Sequence, residues 1–332
     1  MRKGLLAVLG AAVLASSVVA ADKLSGAGAT FPAPLYYDWA HSYEAKTHNQ
    51  VNYQAIGSGG GIKQIQKRTV DFGGTDKPLT PQELAKDNLL QFPAVVGTIN
   101  VVYNIPGVAD GAIKLSNEAV AGIFLGTINS WNDPIIKKDN PGVNLPAGSI
   151  TVVHRSDGSG TTWNFAYWLD KISTTWKSKV GVGTSVNWPK GIGGKGNEGV
   201  ANIVKQTPNS IGYVEFAYAK QNKMTSAQLQ TSSKTWVAAT VARSKEAAKG
   251  AKWTKADHFH EILVLEPGKG AYPITAATFI LLPKEKVEQN KKVVAFFNYA
   301  FEIDAEAEKL GYIPLPNETV KMIQSYFKDN GL

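Results

Sequence analysis

Residues Arg155-Ser156-Asp157-Gly158-Ser159-Gly160-Thr161-Thr162 gather a guanidinium, hydroxyls and two glycines just ahead of a helix-like apolar pattern. That mixture reads as a cradle for an oxyanion. Glycine lets backbone N–H groups approach a ligand closely, Ser and Thr add hydroxyl donors, and a helix N-terminus adds unpaired N–H groups and partial positive charge. No Gly-x-Ser-x-Gly elbow surrounds Ser58 or Ser159, and His154, next to Arg155 on a strand, would point to the opposite face. A nucleophile with an evident base is therefore not among the candidates.

The elements that must hold this segment are legible around it. Ile150 to Val153 reads as a strand, and Phe165, Trp168, Leu169 and Ile172 fall on one helical face, so the sequence is strand, glycine loop, helix. The same grammar occurs at Val51 to Ala55, Gly57 to Gly61 and the helix-like Ile62 to Ile65. A third glycine-containing loop, Gly26 to Pro34, leads into Tyr36, Trp39, Ala40 and Tyr43 at helical spacing. Such loops collect at the carboxyl ends of strands in open α/β sheets, which predicts that the three converge. The apolar runs Val95 to Tyr103 and Ile274 to Leu282 are predicted to be crossovers bracketing a middle portion of about 175 residues, the size of a domain.

Met1-Arg2-Lys3, the apolar run Leu5 to Leu14 and Ser16-Ser17-Val18-Val19-Ala20-Ala21 match a secretory signal peptide, residues 1–20, cleaved after Ala20 or Ala21. The 332 residues include no Cys, so the exported product has no disulfide, no thiolate metal site and no lipid-accepting Cys, and is expected in the periplasm. The net charge of +8 includes Arg2 and Lys3, and the remaining basic residues are scattered without aromatic interleaving. Nucleic acid is not an expected partner.

Two other patterns carry less. Gly191-Ile192-Gly193-Gly194-Lys195-Gly196 fits a dinucleotide-loop spacing, but no buried strand precedes it and Gly196 stands where a phosphate-binding loop needs Ser or Thr. It is read as a structural loop opening a helix at Gly199 to Val204. His258-Phe259-His260-Glu261 is read as an exposed edge or loop, since no third convergent metal ligand is visible. No metal and no cofactor are expected.

Taken in order, Ala27 to Pro34, Gly57 to Gly61, Val70 to Asp76, Arg155 to Thr161, Trp188-Pro189 with Gly194 to Asn197, and Ile211 to Glu215 resemble the periplasmic phosphate-binding proteins of Pst-type ABC transporters. The resemblance spans essentially the whole chain after the signal. It implies a two-lobed α/β periplasmic binding protein of type II, with two mixed sheets flanked by helices and joined by a two-strand hinge. The lobes would be 21–96 with 273–332, and 97–272. By position it implies phosphate ligands at Thr30, Phe31, Ser58, Asp76, Arg155, Ser159, Gly160 and Thr161, with Asp157 orienting Arg155. Gly59 stands where the family commonly has a second Ser.

The implied partners are inorganic phosphate and an inner-membrane permease of two transmembrane proteins with a cytoplasmic ATPase. The protein itself would be a monomer and not an enzyme. Asp76 would separate phosphate from sulfate, because a carboxylate accepts the proton of a phosphate oxygen and meets only lone pairs on sulfate. The competing expectations are a secreted phosphatase or phosphoryl-transfer enzyme, and a surface protein using its basic residues.

Overall fold

The computed structural model describes residues 21–303 and 305–332; the expected signal peptide lies outside the described residues. Strands and helices first alternate as β1 (Lys23–Gly28), α1 (Ala33–Thr47), β2 (Gln50–Ala55), α2 (Ser58–Gln66), β3 (Phe72–Thr75), α3 (Pro81–Asp87) and the 16-residue β4 (Leu89–Asn104). Then follow β5 (Lys114–Leu115), α4 (Asn117–Leu125), α5 (Pro134–Asp139), β6 (Thr151–Arg155), α6 (Gly160–Ile172), α7 (Thr174–Lys179), β7 (Ile192–Gly194), α8 (Gly196–Gln206), β8 (Ser210–Glu215) and α9 (Phe216–Gln221). The short β9 (Thr225–Ser226), β10 (Gln228–Gln230), β11 (Trp236–Val237) and α10 (Val241–Ala248) precede β12 (Thr275–Pro283). The chain closes with α11 (Val287–Glu302), α12 (Ala305–Leu310) and α13 (Asn317–Asp329).

One hydrogen-bonded path runs β2-β1-β3-β12-β4-β8-β6-β7, with β9 also on β4, while β11-β10-β5 form a small separate sheet. β1 is parallel to β2 and β3, β12 is antiparallel to β3 and β4, and β6 is parallel to both β7 and β8. β4 serves two arms of this path: Leu89 to Thr98 pair with β12, and Ile99 to Asn104 pair with β8. The return strand starts at the point of transfer, where the Ile99 N–H donates to Ile274 O at 2.9 Å.

Fifteen of the sixteen β4 residues are buried, which is why the run reads as mostly apolar on both faces rather than alternating. Within it, Thr278 faces Val95 and Phe279 faces Pro93, so Ala94 is an extra residue. Proline has no N–H to give a ladder and is tolerated at such a bulge. The bulge bends β4 just before it changes partners.

Each arm has its own aromatic packing. Phe297 of α11 meets Tyr36, Phe72 and Phe92, with ring centroids 5.9, 5.5 and 5.5 Å away, and Phe327 of α13 sits 4.8 Å from Phe92. On the other arm Phe165 stacks on Tyr213 at 4.3 Å and Trp188 lies against Trp176 and Tyr213. Truncating a buried ring of this kind costs about 3–5 kcal/mol. The first cluster holds α1 through Tyr36 and the second holds α6 through Phe165, two of the helices whose first turns build the site.

Candidate functional site

Four helices, α1, α2, α6 and α8, start from loops that follow β1, β2, β6 and β7. Only α6 among them has a side-chain cap, Ser159 Oγ accepting from Thr162 N at 2.9 Å. Helix starts without caps keep donors for another acceptor. The glycines of α2 serve proximity: a Cβ on Gly61 would lie 2.5 Å from Gly28 Cα, so only glycine brings Ser58 this close to the strand ends.

Arg155 ends β6 and is buried, with its side chain fully covered. Its Nε and Nη2 donate to Asp157 Oδ1 and Oδ2 at 2.8 and 2.5 Å, and Nη1 donates to Thr161 Oγ1 at 3.3 Å. A guanidinium has five N–H groups, so one on each terminal nitrogen is left to donate elsewhere, in a plane that Asp157 holds. Burial works to raise the Asp157 carboxyl. The hydrogen bonds and charge of Arg155, with the Gly196 N–H, outweigh it and leave Asp157 below the ordinary carboxylate range.

Asp76 follows β3 and is 1% exposed. Ser58 Oγ donates to its Oδ2 at 3.5 Å, while Oδ1 has no hydrogen-bond partner among the described residues. Burial pushes this carboxyl up to about 7, with partial offsets from the nearby Thr278 hydroxyl, the Arg155 charge and Ser58. The α6 loop closes directly over it. Asn164 Nδ2 donates to Asp76 O at 2.8 Å, Gly59 N donates to Gly158 O at 2.9 Å, and a Cβ on Gly160 would stand 2.5 Å from Ser58 Oγ. A side chain at position 160 would therefore occupy the space that Ser58 and Asp76 face.

The loop after β1 is held by hydroxyls from three distant elements. Tyr53, Tyr218 and Tyr312 donate in turn to the carbonyls of Ala29, Thr30 and Phe31 at 2.9, 2.5 and 2.7 Å. Because a trans peptide sets N–H and C=O on opposite sides, fixing the Thr30 carbonyl aims the Phe31 N–H the other way. Tyr312 also reaches Glu215 Oε2 at 3.1 Å, and burial raises the Glu215 carboxyl well above its usual range.

Thr30, Phe31, Ser58, Asp76, Arg155, Ser159 and Thr161 are each no more than 3% exposed, and Gly160 lies among them. The contacts join Ser58 with Asp76 and Gly160, and Arg155 with Asp157 and Thr161; Thr30 is tied to this second group through Asn197, which donates to both threonine hydroxyls at 2.7 and 3.3 Å. Beside the buried cluster lies a surface cavity of about 300 Å³, whose walls include Thr30, Tyr53, Asp157, Lys195 and Glu198. Asn197, Tyr53, Tyr218 and Tyr312 were not among the site residues expected from sequence. Asn197 had one local sign, its place after a glycine loop; the tyrosines had none.

Within the Gly191 to Gly196 segment, Ile192–Gly194 form the strand β7, paired to β6 through Val153, His154 and Arg155, and α8 starts at Gly196, three residues before the expected Gly199. Gly196 N donates to Asp157 Oδ1 at 3.0 Å, so this loop contacts the Arg155 group. His258 lies in a turn, its Nδ1 2.6 Å from the Tyr326 hydroxyl, and His154 stacks on Trp188. Both imidazoles thus have packing roles away from the cluster.

Chemically, the cluster is a dry array of N–H and O–H donors around one carboxylate acceptor with a raised pKa. It suits a small tetrahedral oxyanion that carries a proton. A family model described as a PBP superfamily domain matches residues 15–302. A protein of Xylella fastidiosa named phosphate-binding protein PstS is 49% identical, over 92% of this chain and 85% of its own length. One of the same name from Pasteurella multocida is 50% identical, over 93% and 90%.

Among solved structures, a phosphate-binding protein from Stenotrophomonas maltophilia aligns with a TM-score of 0.69 at 21% identity, covering 92% of this chain and 94% of that one. A phosphate ABC transporter substrate-binding protein from Clostridium perfringens, described with bound phosphate, aligns with a TM-score of 0.66 at 17% identity, covering 89% and 100%. The fold is the one those proteins share.

Proposed function

Because the chain belongs to the PstS family of phosphate-binding proteins, we propose that it binds inorganic phosphate in the periplasm and delivers it to an inner-membrane ABC permease. The observation that carries this reading is the buried Asp76, unpartnered at Oδ1 and raised to about 7, set among donors. It can take the proton of a phosphate oxygen while Arg155, Ser58, Thr30, Ser159, Thr161 and the Phe31 and Gly160 N–H groups donate to the others. Asp157 holds the Arg155 fork and tempers its charge.

Residues 21–96 with 273–332 and residues 97–272 act as two lobes that close on the anion, bending where β4 changes partners. The signal peptide directs export, and the monomeric receptor meets a permease of two transmembrane proteins driven by a cytoplasmic ATPase. The phosphatase alternative gains no support, since the hydroxyls of Ser58, Ser159 and Thr161 bond amide, carboxylate and guanidinium groups and, among the described residues, no histidine.

Charge-assisted hydrogen bonds contribute about 1.5–3 kcal/mol each, so several of them support a micromolar or tighter dissociation constant, about −8 kcal/mol or stronger. The test is calorimetry on protein stripped of anion by unfolding and refolding, titrated with phosphate and with sulfate near pH 8. Tight phosphate binding with little sulfate binding is expected. Comparable affinities for the two anions would overturn the role of Asp76, and absence of phosphate binding would overturn the function.

A further inference from the structure

We propose that Asn197 is a positioning residue that sets the direction of two hydroxyl groups, forcing Thr30 and Thr161 to donate to the bound anion. The inference rests on the phosphate reading above and assigns a function to the loop between β7 and α8.

A hydroxyl oxygen accepts at two lone pairs and donates one proton. Thr30 Oγ1 accepts from Asn197 Nδ2 at 2.7 Å and from Asn197 N at 3.2 Å. Thr161 Oγ1 accepts from Asn197 Nδ2 at 3.3 Å and from Arg155 Nη1 at 3.3 Å. Amide and guanidinium nitrogens have no lone pair to offer in return. Both acceptor positions on each oxygen are therefore filled, and each proton must point away from Asn197.

Neither hydroxyl donates to any group among the described residues, although Thr30 is 3% exposed and Thr161 is fully buried. Two buried O–H groups with undirected protons are costly unless something accepts from them. An anion oxygen between them is the acceptor that fits.

The amide cannot turn over to undo this arrangement. Its Oδ1 accepts from Glu215 N at 3.0 Å; a flipped amide would set NH₂ against that N–H. Glu215 is the first link in the chain: its backbone fixes Asn197, and Asn197 fixes the two threonines. Thr30 belongs to the loop after β1 and Thr161 to α6, so one side chain sets donor polarity on both sides of the cleft. Selectivity then has two parts, Asp76 as acceptor and Asn197 as the group that stops the hydroxyls from becoming acceptors too.

The test measures phosphate affinity by calorimetry for Asn197→Ala in the wild type and in a Thr30→Val/Thr161→Val background, with thermal unfolding of each protein to confirm folding. The substitution is expected to weaken binding about tenfold in the wild type and less than about twofold in the background, because no hydroxyl remains to be oriented. Equal losses in both would mean a merely structural role and would overturn the inference.

Asn197→Asp is the second variant. It keeps the shape and the bond from Glu215 N–H but offers the threonines an acceptor, so a loss above about a hundredfold is expected near pH 8. A loss no greater than that of Asn197→Ala would overturn the inference. A wild-type protein that binds no phosphate would overturn the phosphate reading itself, an outcome distinct from either.

Discussion

Lowering the pH should admit sulfate to this site, and replacing Asp76 by Asn should remove that dependence. The Asp76 carboxyl titrates at about 7 because burial penalises its charged form. Above that value it is a carboxylate, which accepts from protonated phosphate and repels the lone pairs of sulfate. Below it, the carboxyl carries its own proton and can donate to a fully ionised oxyanion. If sulfate binds only the protonated form, its apparent affinity follows the protonated fraction, falling about tenfold per pH unit above pH 7 and levelling below it.

From about pH 8.5 to about pH 5.5 the sulfate dissociation constant should therefore tighten about thirtyfold. Phosphate can supply or accept the proton itself, so its affinity should move much less. Isothermal calorimetry with both anions across this range, on wild type and Asp76→Asn, reads the effect directly. The amide donates at every pH, so the variant should bind sulfate with a flat profile. A sulfate profile in the wild type that stays flat from acid to neutral pH would refute the assignment of selectivity to this proton.

The linkage has a sign for stability as well. A carboxyl raised in the folded state holds a proton that the unfolded chain has already released, so anion-free stability should fall as pH rises from about 4 through about 7. Asp76→Asn should make that slope shallower in denaturant titrations, leaving the part contributed by the buried Glu215 carboxyl, which is also raised.

Two further outcomes follow from packing and from the tyrosine bonds. Gly160→Ala places a Cβ within 2.5–2.6 Å of Ser58 Oγ, Asp76 Cβ and Asp76 Oδ2; overpacking of about 1–3 kcal/mol should weaken phosphate binding by roughly fivefold to 150-fold in calorimetry. Tyr218→Phe removes the donor to Thr30 O. Leaving that buried carbonyl unpaired should cost about 1–3 kcal/mol, measured as a lower midpoint in denaturant unfolding, with phosphate binding weakened in parallel.

Much of this arrangement was legible from residues near each other in the chain. The three helix-leading loops were readable because glycine, Ser, Thr and an apolar helical face occur together at Thr30, Ser58 and Ser159. β4 was readable in its second half, Val95 to Tyr103, and extends back to Leu89 because its earlier residues are equally buried. The β7 loop was misread for a physical reason: a three-residue edge strand with Ile192 and Gly193 exposed has neither the length nor the apolar run of a buried strand. Tyr53, Tyr218 and Tyr312 left no local trace, since their acceptors are backbone carbonyls 24, 188 and 281 positions away. Backbone partners have no residue type to signal them.

The place of β12 sets an order of assembly. It lies between β3 and β4 in the sheet, so those two strands share no edge with each other until a segment some two hundred residues after β3 fits between them. Phe297 and Phe327, which pack against Phe92, arrive later still. A growing chain that ends before Thr275 must leave both strand edges open and the rings of Phe72 and Phe92 without α11 and α13 to cover them. Loop closure over such distances is slow compared with local contacts. The placement that joins the two ends of the chain thus also delays completion of the N-terminal core until nearly the whole polypeptide exists, so truncation from the C-terminus should cost far more than its length suggests.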